Sequence, residues 1–544
     1  MLATLPSELL DMIVSRSRRD LKRLCEVCIR LHAVTVPHLH QSLVLSASAL
    51  SLEDFVAILE QIPSKYLKYT QELGFHVPIH ERVEARCVHH DANGHFFDAA
   101  VQEGLGRIVD PLHNLCCALN SLRFPGDQLR SFRWEVGTCI LEAPFCGSDS
   151  FLGDQRQIQS ITLITDGECG ENKTTECFID LVQFRGLRSL EWRGLNRYND
   201  FESIREFFKV YGGQIQSLTL DLLTWVRAEQ IWEDGFRQQN IPGQSTRSTD
   251  NFFSQVVLNV HPQVLKVIFP SLENLHLSAV SFCHTGMGMA YAFNIERLRS
   301  LMRKCPGSLD WLRMILTLEN ASMHITETIC NFIHQLSGLE NLYLMLPEPI
   351  DWNTLADRLS SHRHLTRFVM HNLVDRGGQN LIDGDIPWPV QLEHMLQNPL
   401  SCFGYSISPW ELASHLQRMQ PRPPCKMIHV RTSGVVLDRL NSSGQPNWFS
   451  ESLYTYKYGD DLPDNREAIY DLAQWAFSAD GLPSLQVLAW GDFSFEGRYS
   501  KFNLLLCRSD NGYKTLTPSD IMAWDLVQDN IDMLAACPFD DILE

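Results

Sequence analysis

Six segments of this chain follow one six-residue template: leucine or isoleucine, a polar residue, serine or asparagine, an apolar residue, any residue, then leucine or tryptophan. They are Leu129–Trp134 (LRSFRW), Ile158–Leu163 (IQSITL), Leu187–Trp192 (LRSLEW), Ile215–Leu220 (IQSLTL), Leu272–Leu277 (LENLHL) and Leu339–Leu344 (LENLYL). The first four begin at positions 129, 158, 187 and 215, and the fifth follows at 272, close to twice that interval. A fixed period near 29 residues requires that each unit bury its apolar side against its neighbours, because no unit of that length closes a core alone. The template reads as a strand and the stretches between as helices, so the expected architecture is α/β: a curved parallel sheet with outer helices, extended as a solenoid. A length of 544 residues suits an elongated array better than one compact core.

Weaker copies of the pattern occur at Leu309–Met314, Leu365–Met370 and Leu485–Trp490. Between strands, helical spacing places Phe201, Ile204, Phe207, Phe208 and Tyr211 on one face, ending at Gly212 and Gly213. Further helices are expected through Ile295, Leu298, Leu301 and Met302, through Ile325, Ile329, Phe332, Ile333 and Leu336 to Gly338, and through Trp352, Leu355 and Leu359. Residues between the inward template positions should face outward on the concave wall: Arg133 and Glu135, Thr162, Glu191 and Arg193, Thr219 and Asp221, His276 and Ser278, Tyr343 and Met345, and His371. Mixed charge with a few aromatics on such a wall suits a protein partner. The polar stretch 238–251 and the stretches 375–390 and 420–425 are expected to be irregular chain.

The array is expected to span 129–450, preceded by a linker and first part of the solenoid over 46–128. It is followed over 451–544 by a last repeat and an acidic cap. That final stretch holds 17 acidic and 6 basic residues, a balance of −11 within the chain's −19. Its acids alternate with Trp475, Phe477, Trp490, Phe493, Phe495, Trp524 and Leu526, and helix patterns run through Ile469 to Ala476 and Asp520 to Leu534, so it reads as folded. Residues 491–499 read as a tight loop after the last repeat strand.

Net charge of −19 argues against a nucleic-acid partner, which would need basic clusters. No apolar run approaches the length of a membrane span, and the first residues lack the pattern of a secretory leader, so the expected setting is intracellular, cytoplasmic or nuclear. There, 16 cysteines read as reduced thiols.

Residues 1–45 read as a separate module of two or three short helices. Pro6 and Ser7 open the first, with Leu9, Leu10 and Ile13 along it; Asp20 opens the second, with Leu21, Leu24, Val27, Cys28 and Leu31 at steps of three and four. The order Leu5, Pro6, Glu8, Leu9, Leu10, then Asp20, Leu21, Leu24, Val27, Cys28, Leu31, and Pro37 to Leu39 resembles the F-box motif. Between Ile13 and Asp20 this chain carries Val14, Ser15, Arg16, Ser17, Arg18 and Arg19, where that family has an apolar residue and a proline. The strand template is similar to leucine-rich repeats of irregular type, and the combination resembles fungal F-box proteins. The resemblance implies a substrate-recognition subunit of a Skp–cullin–F-box ubiquitin ligase. Leu5, Pro6, Leu9, Leu10, Ile13, Leu21 and Leu24 would grip the Skp-family adaptor, and a protein substrate would lie on the concave face at Arg133, Glu135, Glu191, Arg193, Asp221, His276, Tyr343 and His371. The alternative is a leucine-rich-repeat scaffold without adaptor docking.

No nucleophile elbow, dinucleotide fingerprint, phosphate loop or zinc-protease helix motif occurs, and neither catalysis by this chain nor a cofactor is expected. Cys87, His89, His90, Asp91 and His95 form the densest set of metal-capable residues but lack a second ligand pair. Gly286 and Gly288 lack the rest of a nucleotide motif. Cys25 and Cys28 read as core residues inside one helix, and the basic run 16–23 as a solvated face or an import signal.

Overall fold

A computed structural model describes residues 5–16, 20–46, 52–77, 114–122, 124–138, 150–165, 179–195, 198–222, 257–258, 268–278, 300–304, 330–331, 333–336, 338–347, 351–375, 381–384, 388, 390–397, 400–432, 462–494 and 503–536. The fold is mixed α/β, built on one largely parallel sheet. Its strands are β1 (Ser42–Ser46), β2 (Glu72–His76), β3 (Ser131–Glu135), β4 (Ser160–Ile164), β5 (Ser189–Leu195), β6 (Ser217–Leu222), β7 (Asn274–Ser278), β8 (Ser300–Lys304), β9 (Asn341–Pro347), β10 (Arg367–Asp375), β11 (Leu381–Gly384), β12 (Cys402–Tyr405), β13 (Met427–Arg431), β14 (Val487–Gly491), β15 (Leu504–Ser509) and β16 (Gly512–Thr515). Spatial order follows chain order, with β11 alone off the path as an antiparallel partner of β10. Pairing is parallel from β1 through β14 along this path, and β15 and β16 close the end as antiparallel strands.

Each of the six template segments forms a strand, and its serine or asparagine is the first strand residue. The leading leucine or isoleucine lies in the turn before and is fully buried at Leu129, Ile158, Leu187, Ile215, Leu272 and Leu339. The polar residue after it supplies a carbonyl that accepts two N–H groups from the next strand's entry. Arg130 O accepts from Gln159 N (2.7 Å) and Ser160 N (3.1 Å), and the same pair of bonds recurs at Gln71, Gln159, Arg188, Gln216, Glu340, Thr366, Ser401 and Lys426. One oxygen thus satisfies both the turn and the first rung of the sheet.

The apolar core lies between the sheet and an outer helical layer that includes α4 (Leu52–Gln61), α6 (Tyr198–Tyr211), α7 (Trp352–Leu359), α8 (Val390–Gln397), α9 (Pro409–Arg418) and α10 (Leu462–Ala476), with the short α5 (Ser64–Leu67) leading into β2. In α6, Phe201, Ile204, Phe207 and Phe208 pack into the same core as Leu190 and Trp192, as their spacing predicts. The helix expected over Ile295–Met302 is corrected: residues 300–304 are strand β8, paired between β7 and β9. Leu298, Arg299, Ser300 and Leu301 match the template's first four positions, and Arg303 in the final apolar place disguises the match. The 57-residue interval after β6 does not conceal a strand in the sheet order, since β6 pairs directly with β7. Residues 375–390, read as irregular, contribute the hairpin strand β11. Strand β1 corrects the boundary at residue 45, because the helical module ends at Leu39 and Ser42–Ser46 already belong to the sheet. Residues 238–251, 309–314 and 495–499 lie outside the described residues.

Candidate interaction surfaces

Three helices precede the sheet: α1 (Ser7–Arg16), α2 (Leu21–Cys25) and α3 (Ile29–Leu39). Leu10 and Val14 of α1, Leu21 of α2, and Leu31, Thr35 and Val36 of α3 are buried, giving the module a small interior. Leu9, Met12 and Ile13 of α1 are exposed, as are Val27 (65 %) and Ile29 (90 %) at the turn between α2 and α3. Five large apolar side chains exposed on so short a stretch form an apolar surface patch. The seven residues read as adaptor contacts therefore divide. Pro6, Leu9 and Ile13 are exposed, Leu5 and Leu24 are half-buried, and Leu10 and Leu21 are corrected to interior positions, at 1 % and 7 % exposure. Periodicity alone could not separate Leu9 from Leu10, since both fall on helical stripes.

The reading of Cys25 and Cys28 within one helix is also corrected. Helix α2 ends at Cys25, and Cys28, in extended conformation, is the N-cap of α3, its Sγ accepting from Leu31 N at 3.5 Å. Burial and then the neighbouring Glu26 charge raise the Cys25 thiol pKa, which disfavours a reactive thiolate. The module is tied to the sheet through stacked His40 and Tyr66 rings, 4.1 Å apart, and through Thr70 Oγ1 donating to His40 O (3.1 Å).

On the sheet face away from the helical layer, cross-strand register aligns Gly74, Arg133, Thr162, Glu191, Thr219, His276, Met302, Tyr343, Val369, Gly404, His429 and Ala489 in one row. The positions expected to face outward are thus aligned across the strands. The row changes character along its length. Between β2 and β7 it is polar and part-exposed, and its charges are paired. The Arg133 guanidinium donates to Glu135 Oε1 (2.6 Å) and lies 3.6 Å from Glu72, His76 Nδ1 lies 3.1 Å from the second Glu135 oxygen, and Arg193 donates to Glu191 (2.7 Å). Burial alone would lower the Arg133 pKa, but the Glu135 hydrogen bond and charge, with Glu72 and Glu191, raise it above its ordinary value. Glu135 is buried, whereas Arg133, Glu72, Glu191 and Arg193 all reach solvent. Asp221 and Ser278 occupy the row two residues further on.

From β9 onward the same face is closed, which corrects the placement of Tyr343, Met345 and His371 on an open wall. Helices α11 (Ile521–Asp529) and α12 (Ile531–Leu534) lie over it, and Val527, Met533 and Leu534 pack with Tyr343, Met345, Val369, Cys402, Met427 and Val487 in a second core. Tyr343 OH donates to Asp532 (2.9 Å), Arg367 reaches Asp532 (3.5 Å), and the Cys402 thiol donates to Asn530 (3.4 Å). Burial, then the Asp532 charge, pushes the Tyr343 phenol far above its ordinary pKa. His371 is buried and accepts from Arg431 Nε (3.2 Å). Sequence reasoning located this helical segment but not its docking surface, which runs from Tyr343, 189 residues before Asp532, to Val487.

Among the described residues, no group of three or more histidine, cysteine or acidic side chains is placed to hold a metal, and no helix is long and apolar enough to cross a membrane. Cys87, His89, His90, Asp91, His95, Gly286 and Gly288 lie outside the described residues. No protein-family model matches the chain, and no curated protein matches its sequence significantly.

Proposed function

We propose that this chain is the substrate-recognition subunit of a Skp–cullin–F-box type ubiquitin ligase, with the N-terminal helices docking the adaptor and the open half of the sheet face binding a protein substrate. The observation that carries the reading is the exposed set Leu9, Met12, Ile13, Val27 and Ile29 on a three-helix module whose sequence order resembles the F-box. The in-order parallel sheet, with its recurring strand entry, supports reading the remainder as an irregular leucine-rich-repeat solenoid. Catalysis would come from partner subunits, in the cytoplasm or the nucleus.

The test is capture of the full chain by purified Skp-family adaptor. Replacing Leu9→Asp together with Ile13→Asp should abolish capture while thermal unfolding stays unchanged, because both side chains are exposed. Leu10→Asp is unsuitable, since it would place a charge in the module's interior. A control lacking the module should begin at His40, so that the Tyr66 stacking and β1 survive. The second reading, a repeat scaffold without adaptor docking, is favoured by the Val14–Arg19 departure from the family pattern and predicts no capture of either form.

A further inference from the structure

Helix α1 presents two equivalent apolar stripes. Leu9 and Ile13 are four residues apart, and so are Leu10 and Val14; a helix advances about 100° per residue, so the stripes differ by roughly that rotation. The two pairs differ by a single methylene, isoleucine against valine, so apolar area separates the two rotations only weakly. In the structure Leu10 and Val14 face inward while Leu9 and Ile13 are exposed. The Arg30 guanidinium donates to the Leu5 carbonyl at 2.7 Å, which fixes where α1 begins but involves only backbone on the α1 side. A side-chain bond from α1 to α3 joins the Asp11 carboxylate to His38 Nε2 at 2.7 Å, with His38 part-buried in the last turn of α3. Rolling α1 to bury Leu9 and Ile13 would carry Asp11 away from His38 and break that bond.

We propose that Asp11 and His38 are a positioning pair that sets the rotation of α1 on α3, and so decides which apolar stripe is offered to a partner. The inference rests on the docking reading above for its functional consequence, although the rotational role is testable without any partner. Neither residue need touch the adaptor; both act through Leu9 and Ile13.

The experiment uses the full chain with Leu9→Cys or Leu10→Cys as reporters, mapping labelling by a thiol-reactive reagent peptide by peptide. In the parent background, position 9 should label much faster than position 10. Asp11→Ala or His38→Ala should shrink that ratio about threefold or more and weaken adaptor capture by a similar factor, whereas the swap Asp11→His with His38→Asp should restore both. An unchanged labelling ratio in both single variants would overturn the proposal. A ratio that falls without loss of capture, or that the swap fails to recover, would overturn it as well. If the parent chain captures no adaptor while the ratio responds as expected, the docking reading fails and the pair's role is confined to rotation.

Discussion

His429 is fully buried in β13. Its Nε2 bonds the Gly491 carbonyl at 2.8 Å, and Phe493 packs edge-on at 5.2 Å. Burial first, then the charge of Arg431, holds its pKa well below the ordinary histidine value near 6.5. A lowered folded-state pKa means that the unfolded chain takes up the proton first as pH falls. His429 therefore leaves stability intact above about pH 6.5 and removes about 1.4 kcal/mol per pH unit below it, until its own folded pKa is reached. His362, lowered by burial and by His334, acts in the same direction. Thermal unfolding measured from pH 7.5 to 5.0 should show this decline, and His429→Gln should flatten it relative to the parent; equal slopes would refute the assignment. At the same scale, Tyr343→Phe should cost about 1–2 kcal/mol of stability, because it removes a hydrogen bond to a carboxylate and leaves Asp532 short of a donor.

Helix α10 ends against Gly481, where an added Cβ would collide with the Trp475 carbonyl oxygen and crowd that of Ala476. Gly481→Ala should therefore displace the end of α10 and lower thermal stability by well over 1 kcal/mol, whereas alanine at Gly126, which has only one neighbour at ordinary contact distance, should be nearly neutral. Elements such as α6, α7 and the six template strands were legible because their apolar spacing records which side faces the core. Strands β1, β2, β12 and β13 were not identified: Met427–Arg431 is buried at every position, and a strand covered on both faces shows no alternation. The break between α2 and α3 escaped because a cysteine fills the N-cap, where serine, threonine or aspartate would have announced a helix start. The cover over Tyr343, Met345 and His371 is not legible, because a face covered by a segment from another part of the chain leaves no local periodicity to read.

Across the whole molecule, the parallel sheet runs without a break through the described strands, yet its outer face has two regimes: polar and accessible from β2 to β7, apolar and covered from β9 to β15. Removing residues 516–544 should uncover Tyr343, Val369, Met427 and Val487. Amide hydrogen exchange should then quicken in β9, β10, β13 and β14 while β2 to β5 keep their protection. Uniform acceleration along the sheet would mean that the array unfolds as one unit.

The doubly used carbonyl at each strand entry has a consequence for how such a chain can change. Because Gln71, Arg130, Gln159, Arg188 and Gln216 secure the next strand through backbone atoms alone, register is independent of how far the chain travels in between: 29 residues from Ser160 to Ser189, and 57 from Ser217 to Asn274. Intervening segments are in effect cassettes. They can be lengthened, shortened or exchanged while the leading leucine or isoleucine and its following polar residue hold the next rung in place, so surface novelty can accumulate without any renegotiation of the scaffold.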